Sequence, residues 1–279
     1  MYACKTLIRS ANEFASREKR LSICLGADGF SFAETTTSGV LGERSATRTL
    51  LSFGEAEGRH ASSMTGVMAD VKAFFAEAGI RPLGYKAMEL IVLSDESTWV
   101  PDELYSSISN RSYLRLVGST PDTVMTCHSQ ALASTAVFAA NEQVVTAFKV
   151  AMPGVAVMHQ HAKMAQLAPA STDHPVLLTF WRQGRVDVAA FHDGRYLYGN
   201  TLRFSNDNEA IYHLVEVMKT YGLEDDATTL LLSGDVDRQR YALLRPYFPQ
   251  VTLFNGNVNR DQSAELHSLH AYRHALIMM

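Results

Sequence analysis

The sequence predicts an α/β protein made of two copies of one unit, in which strands and helices follow the order β-β-β-α-β-α-β. Two similarities within the chain predict this duplication: residues 90–95 read like 230–235, and residues 148–157 read like 244–253. The order of strand and helix patterns around these segments gives the third observation, because it is the same in both halves. The predicted domains are therefore residues 1–160 and 161–279.

The second half shows the unit in its simpler form. Apolar, β-prone runs at 175–181, 186–191 and 195–204 are separated by the turn signals Gln183-Gly184 and Asp193-Gly194, which predicts an antiparallel meander. Residues 208–221 have apolar positions at helical spacing and end before Gly222, as an amphipathic helix does. The remaining predicted elements are a buried strand at 228–232, a helix near 237–247 and a strand at 251–254.

The first half gives the same order with one addition. The pair Asp28-Gly29 lies between apolar runs and predicts a hairpin turn in which two consecutive positive φ angles cost little. Residues 112–139 form the addition, an inserted segment with two β-like stretches at 113–117 and 124–138, and residues 160–173 are predicted to connect the two domains. The other predicted elements are strands at 21–25, 30–35, 47–53, 88–93 and 155–159 and helices at 64–78 and 142–150.

This order is that of the ribonuclease H-like unit, and two such units in tandem resemble the actin-like ATPase superfamily. The residues at 21–23 and Asp28-Gly29-Phe30-Ser31-Phe32 are also similar to the start of a functionally uncharacterised bacterial family found in Bacteroidetes, to which an actin-like fold has been assigned. The resemblance implies a fold, the actin-like ATPase fold, and no activity.

The resemblance also indicates where a nucleotide would bind. In active members the first hairpin of each half carries an Asp two residues before a Gly, and these hairpins hold the phosphates and Mg²⁺. Here Asp28 directly precedes Gly29, and the second hairpin has Gly184 but no carboxylate within residues 181–185. A plain type I′ turn accounts for Asp28-Gly29 without a ligand.

A third element of the superfamily is a turn with two glycines that contacts adenosine, and this chain keeps one of them, Gly234, followed by Asp235. In the alternative interpretation Asp235 simply caps the next helix. Asp28, Gly29, Gly184, Gly234 and Asp235 are thus the candidate residues if ATP with Mg²⁺ binds, and no catalytic residue is assigned.

Composition argues against several other classes. The net charge of −4 and the pI near 6.2 give no electrostatic reason to bind nucleic acid or an anionic membrane. A ribonuclease H-like nuclease needs a carboxylate in its first strand, and residues 21–25 contain none, although Asp95 and Glu96 follow the fourth strand. Three widely spaced cysteines, no signal-peptide pattern and no membrane-length apolar run predict a cytoplasmic protein.

Histidines form the last pattern of interest. His267, His270 and His274 have i, i+3 and i+7 spacing in a predicted C-terminal helix, so they form either a metal-binding face or a solvated one. His159 and His161 flank Gln160 and would point the same way in an extended chain.

The order of elements of the superfamily is preserved, whereas carboxylates and glycines are missing where its ATPase site needs them. The sequence therefore predicts a degenerate actin-like protein that acts as an interaction or scaffold protein without efficient ATP hydrolysis. The alternative is a divergent nucleotide-binding ATPase or kinase that uses the cleft between the domains. A protein partner is expected in the first case. A third possibility is a partner-dependent structural subunit, for which the inserted segment 112–139 is the candidate for an exposed apolar patch. The oligomeric state stays open.

Overall fold

The structure, a computed structural model, describes residues 3–9, 18–27, 29–38, 47–58, 63–121, 123–166, 174–223, 227–256, 258–260 and 270–278. These residues form two compact units. The first takes the described residues of Met1–Gln160 and Asn257–Leu269 with Met278, and the second takes those of His161–Gly256 and His270–Ile277. The domain limits 1–160 and 161–279 stay a prediction.

The first unit contains the following elements in chain order: β1 (Ala3–Arg9), β2 (Lys19–Gly26), β3 (Gly29–Ser38), β4 (Thr47–Glu57), α1 (Met64–Glu77), β5 (Ala87–Val92), β6 (Ser97–Pro101), α2 (Asn110–Leu116), β7 (Val124–Ser129), β8 (Ser134–Ala139), α3 (Glu142–Ala151) and β9 (Ala156–His159). Helix α4 (Gln160–Ala165) follows β9 directly. The rest of the chain contains β10 (Val176–Arg182), β11 (Arg185–His192), β12 (Arg195–Arg203), α5 (Asp207–Thr220), β13 (Thr229–Gly234), α6 (Arg238–Leu244), β14 (Gln250–Leu253) and β15 (Val258–Arg260).

The main sheet of the first unit has the order β1-β4-β3-β2-β5-β9, and β15 pairs with β4. Strands β2, β3 and β4 are antiparallel, whereas β5 and β9 run parallel to β2. Aromatic side chains attach the two long helices to this sheet. Phe30 of β3 meets Phe74 of α1 and Phe148 of α3 edge-on, with ring centroids 4.7 and 5.2 Å apart. The buried residues of β2 and β3 therefore form the core together with these two helices.

Most of the inserted segment 112–139 folds together with the preceding strand β6 as a small separate sheet, β6-β8-β7, covered by α2. Two expectations fail here. Residues 113–117 are not a strand, because α2 spans most of them and packs Leu114 against Val100 and Val137. Residues 124–138 are two strands rather than one, separated by a short helical turn that ends at Ala133 with a positive φ of 44°.

The second unit has a five-stranded sheet of order β12-β11-β10-β13-β14. Strands β10 to β12 form the predicted antiparallel meander, and β13 and β14 run parallel to β10. Asp193 and Gly194 both have positive φ, 51° and 69°, which confirms the predicted tight turn. One face of this sheet packs against α5 and α6, with Trp181, Val188 and Leu214 at its centre.

The C-terminal segment differs from its prediction. Residues Ala271–Ile277 adopt 3-10 conformation with a non-helical break at His274, and His270 lies just before this segment. The two described histidines thus do not share the face of one α-helix, and His267 lies outside the described residues.

Candidate functional site

The first hairpin contains a glycine, Gly29, that packs closely against the neighbouring strand β4. Gly26 of β2 pairs with Gly29 of β3, so Gly29 belongs to the strand and not to the predicted Asp28-Gly29 turn. Asp28 lies outside the described residues. Gly29 has φ of +143°, and a Cβ atom there would lie 2.1 Å from the carbonyl oxygen of Ala56 in β4. The close approach of two strands therefore explains this glycine.

The second hairpin turns at Gln183 and Gly184, between the paired residues Arg182 and Arg185. Gly184 has φ of +64°, and its carbonyl accepts a hydrogen bond from the Phe204 amide at 3.0 Å. Residues 181–185 carry no carboxylate. A carboxylate does follow two residues later, however, and it organises this end of the sheet.

That carboxylate is Asp187 of β11, whose side chain is fully buried. Arg182 of β10 donates to both of its oxygens, from Nε to Oδ2 at 2.9 Å and from Nη2 to Oδ1 at 3.0 Å. The hydroxyl of Thr201, directly opposite on β12, donates to Oδ1 at 2.6 Å. Two adjacent strands therefore supply a paired cation and a hydroxyl to one buried carboxylate, and this arrangement lets it remain ionised.

His161 of α4 completes this cluster. Its Nε2 lies 3.1 Å from Thr201 Oγ1 and 3.8 Å from Asp187 Oδ1, and the ring is buried. Burial lowers the pKa of His161 despite the nearby Asp187 carboxylate. Burial alone would raise the pKa of Asp187, but the charge of Arg182 and the hydrogen bonds from Arg182 and Thr201 outweigh it and lower that pKa. At neutral pH the cluster therefore holds an Arg182–Asp187 ion pair beside a neutral imidazole.

The turn after β13 contains the other two candidate residues. Gly234 has φ of +81°, and a Cβ atom there would lie 2.1 Å from the Trp181 carbonyl oxygen. The amide of Asp235, which is an exposed residue, donates to that same carbonyl at 2.8 Å. The cap of α6 is Asp237, which accepts from the Arg240 amide at 2.7 Å. The alternative in which Asp235 caps this helix is therefore wrong, because the helix begins three residues later, at Arg238.

Arg240 of α6 fills the space beside this turn. Its Nε and Nη2 donate to Oδ1 of Asp207 at 3.0 and 2.8 Å, and its Nη1 donates to the carbonyl of Asp235. The guanidinium lies over the Trp181 ring, 4.8 Å from the centroid. The carbonyl that follows Gly234 is thus bound by the protein itself.

In the first unit, the segment after β5 is fixed by Gln160. The Gln160 side chain accepts from the Ser94 amide at 3.0 Å and donates to the Ser94 carbonyl at 2.7 Å, so it extends the β5–β9 ladder by one more pair. His159 Nε2 also lies 3.0 Å from that carbonyl. His159 and His161 thus have separate partners. They would point the same way only in an extended chain, and here α4 begins between them, at Gln160.

The other carboxylate in this segment has an internal partner as well. Glu96 accepts a hydrogen bond from the Ser119 hydroxyl. Within the described ranges, no group of three or more His, Cys, Asp or Glu side chains could hold a metal ion. No helix of the described part of the chain is long and apolar enough to cross a membrane.

Sequence reasoning missed the Asp187 cluster. A usable signal was present: Asp187 stands between Val186 and Val188 in an apolar strand. The consecutive apolar residues 188–191 indicate a strand that is covered on both faces, so a carboxylate within it requires a buried cation or several donors. Nothing in the sequence identified which donors these are.

Comparison with solved structures places this geometry in a known class. A structure from Bacteroides thetaiotaomicron VPI-5482, described as a protein with actin-like ATPase fold and unknown function, is similar with a TM-score of 0.67 and 19% identity, over 90% of this chain and 96% of that one. A structure of the PilM-PilN type IV pilus biogenesis complex is similar with a TM-score of 0.57 and 12% identity, over 94% and 97%. The chain is therefore a protein with the actin-like ATPase fold, two tandem ribonuclease H-like units, as predicted.

The family follows from the sequence itself. The model of the family described as "Protein of unknown function (DUF3822)" matches residues 10–251, and the chain belongs to this family. The predicted resemblance to an uncharacterised bacterial family with an actin-like fold is thereby confirmed. No curated protein matches the chain.

Proposed function

We propose that this chain is an actin-like-fold protein of the cytoplasm that acts by binding another protein and does not hydrolyse ATP efficiently. The observation that carries the proposal is that Asp187 is buried and already bound by another side chain of the protein. It is the carboxylate nearest in sequence to the second hairpin turn, and it is fully buried with both oxygens bound by Arg182.

A hydrated Mg²⁺ ion needs carboxylate oxygens that accept hydrogen bonds from its water molecules or bind the metal directly. Oδ1 of Asp187 already accepts from Arg182 and Thr201, and Oδ2 accepts from Arg182. The guanidinium of Arg182 thus takes the position of a cation beside this carboxylate. Releasing Asp187 to a metal would leave Arg182 and Thr201 without these bonds, at a cost of several kcal/mol.

The turn after β13 supports the same conclusion. Its glycine is explained by close packing on Trp181, and its next carbonyl is bound by Arg240. A nucleotide at this turn would have to compete with a guanidinium that also binds Asp207. Beside each of the two elements that the resemblance assigned to nucleotide binding in the second unit, an arginine of the protein, Arg182 or Arg240, therefore binds a neighbouring acceptor.

A protein partner is proposed because a structural relative is solved as an assembly. The PilM-PilN structure is a type IV pilus biogenesis complex, and its fold matches nearly the full length of this chain. The inserted segment 112–139 and the residues just before it offer apolar side chains at the surface, among them Leu116 and Ile108. An exposed apolar group of this kind is typical of interaction sites.

The test is thermal unfolding of the full chain with and without about 1 mM Mg·ATP, with ADP and Mg²⁺ alone as controls. A site with a Kd of about 10 μM would raise the free energy of unfolding by about 2.7 kcal/mol, which corresponds to several degrees in Tm. We expect no shift and no ATP hydrolysis above the buffer rate. A shift of that size together with Mg²⁺-dependent hydrolysis would overturn the proposal.

A second candidate is a divergent nucleotide-binding ATPase or kinase that uses Gly29, Gly184 and Gly234 as points of close backbone approach to ATP. One observation favours it: Arg185 lies directly opposite Arg182 on β10 and Arg203 on β12, so three arginines are in register at one end of the sheet, of which Arg182 is bound to Asp187. Guanidinium groups bind phosphate well. In this case Mg·ATP raises Tm, and Arg203→Ala removes the shift while Arg195→Ala, at the other end of β12, keeps it.

A further inference from the structure

A series of hydrogen bonds joins helix α4 to the buried ion pair of the second unit. It runs from Arg182 through Asp187 and Thr201 to His161, on β10, β11, β12 and α4 in that order. The last bond of the series, between the His161 ring and the Thr201 hydroxyl, connects α4 to β12, and we call it the α4 contact. The chain passes from the first unit to the second at this helix, since Gln160 belongs to the first unit and His161 to the second.

The bonding of Thr201 determines which nitrogen of His161 carries the proton. A threonine hydroxyl has one proton to donate. That proton goes to Oδ1 of Asp187, 2.6 Å away, because an ionised carboxylate is a stronger acceptor than a neutral imidazole. The Thr201 oxygen then accepts from His161, whose Nε2 lies 3.1 Å from it. Nε2 therefore carries the proton of the neutral ring, and a second proton can enter only at Nδ1.

Nδ1 lies in a closed part of the second unit. The His161 side chain is 1% exposed, so water has almost no access to the ring. A Cβ atom on Gly199 would lie 3.5 Å from Nδ1 and 1.6 Å from the hydroxyl oxygen of Tyr196, so both groups border the same space beside β12. The missing side chain of Gly199 leaves room for them. A positive charge on the ring would thus be surrounded by protein rather than by water.

The charges around His161 do not favour a second proton either. Asp187 on β11 and Arg182 on β10 face the ring with opposite charges, β12 contributes the phenol of Tyr196, and α4 itself carries Lys163. Protonation would place two cations beside one carboxylate in a buried site. Burial and the charge of Arg182 accordingly lower the pKa of His161, and Asp187 offsets this only in part.

We propose that the α4 contact is an acid-sensitive switch, in which a proton on Nδ1 of His161 releases α4 from β12. In the released state water can solvate the charged ring, which the buried site does not allow. A solvated histidine has a pKa of about 6.5, so the α4 contact is fully present above that pH. As the pH falls below this value, the released state binds one more proton than the folded state and its population rises. Neither a nucleotide nor a protein partner takes part in this switch.

The experiment is hydrogen–deuterium exchange of the full chain at about pH 7.5 and about pH 5.5, which brackets the titration of histidine. Each measured rate is divided by the intrinsic exchange rate at the same pH, so that the ratio reports local opening. At one pH unit below the ordinary pKa, the released population should have risen about tenfold. We therefore expect the protection of residues 160–165 to fall about tenfold, whereas the protection of β13 in the same unit does not change.

Two histidine variants separate this switch from a general effect of acid. His161→Gln offers an amide N–H donor of similar reach but cannot gain a proton, so α4 should stay protected at both pH values. His213→Gln is the matched control, because His213 lies on α5 of the same unit with a side chain that is 34% exposed, and this variant should lose protection as the wild type does. Circular dichroism confirms that each variant is folded. The proposal fails if wild-type α4 is equally protected at both pH values, or if His161→Gln loses as much protection as the wild type.

A measurement on the wild-type chain tests the bonding without any variant. Nitrogen NMR of the imidazole rings distinguishes a protonated ring nitrogen from a bare one, which the coordinates of heavy atoms do not. We expect His161 at neutral pH to carry a proton on Nε2 and none on Nδ1. A bare Nε2, or a ring that is already charged at neutral pH, would also overturn the proposal.

Discussion

Replacing Arg182 by leucine tests the interpretation of the Asp187 cluster most directly. The substitution removes the guanidinium that donates to both oxygens of Asp187 and keeps an apolar side chain on β10. Asp187 is fully buried, whereas the Arg182 side chain is 20% exposed. In the variant, the buried carboxylate of Asp187 therefore keeps only the Thr201 hydroxyl and the His161 ring of this cluster as neighbours.

The expected loss is large because the remaining charge has little access to water. Removing one partner of a buried ion pair costs about 3–5 kcal/mol in the free energy of unfolding. For a unit of this size that is a decrease in Tm of roughly 10 °C or more. A loss of this size at one hairpin would show that the ion pair stabilises the second unit, in agreement with its proposed non-catalytic role.

The loss should also depend on pH. In the wild-type fold the pKa of Asp187 is lowered, so its stabilising contribution is present above the unfolded pKa of about 4 and disappears as the pH falls through the folded pKa. Without Arg182, burial dominates and raises the pKa of Asp187 above that of the unfolded chain. The variant then loses stability as the pH rises through that raised value, so its deficit relative to wild type should be largest at pH 7 and smaller towards pH 5.

Tryptophan fluorescence can follow the second unit by itself. The chain has two tryptophans, Trp181 in the core of the second unit and Trp99 on β6 of the first. In a Trp99→Phe background, urea unfolding at pH 7 and pH 5 reports Trp181 alone. The control is the double variant Arg182→Leu with Asp187→Leu, which removes both charges and should recover most of the loss. The reasoning would be refuted if the Arg182→Leu variant had the same urea midpoint as the wild type. It would also be refuted if the loss of stability relative to the wild type were the same at pH 7 and pH 5.

Three further predictions use the same unfolding assay. Gly234→Ala should cost several kcal/mol because its Cβ atom would lie 2.1 Å from a backbone oxygen, whereas Gly184→Ala should cost only about 1–2 kcal/mol, since its nearest neighbour is 3.5 Å away and positive φ is the main penalty; equal losses would contradict this. Asn206→Ala should cost about 1 kcal/mol, because Asn206 caps α5 by accepting from the Glu209 amide; Asn206→Asp, which keeps the cap, is its control. Thr201→Val should cost about 1.5–3 kcal/mol because it removes a hydrogen bond to the buried carboxylate, and a neutral effect would argue against that bond.

The parts of the fold that the sequence predicted are those with a periodic pattern and a strong stop signal. Helix α5 was readable because its apolar positions recur at helical spacing and Gly222, with φ of +65°, ends it. The turn at Asp193-Gly194 was readable because this pair tolerates two positive φ angles. In these cases local chemistry and tertiary packing favour the same structure.

The failures come from segments whose structure depends on distant partners. Helix α2 has one fully buried apolar residue, Leu114, and four of the residues 113–117 are aromatic or aliphatic, as in a strand. Its helical form is supported by contacts of Tyr113 and Leu114 with residues outside the helix. The Asp187 cluster was missed for the same reason, since its donors come from β10, β12 and α4 and their convergence depends on strand register.

The three residues of β15 have a consequence for dividing the chain. They run parallel to Arg48–Leu50 of β4, just beyond the part of that strand that β1 covers. A fragment that ends at residue 160 would therefore lack β15. The backbone donors and acceptors of this stretch of β4 would then form an open sheet edge, which is a common starting point for aggregation. During synthesis, likewise, the first sheet gains this strand only after residues 161–256 have been made. Separate production of the two halves should therefore give a poorly soluble first half unless residues 257–260 are supplied with it.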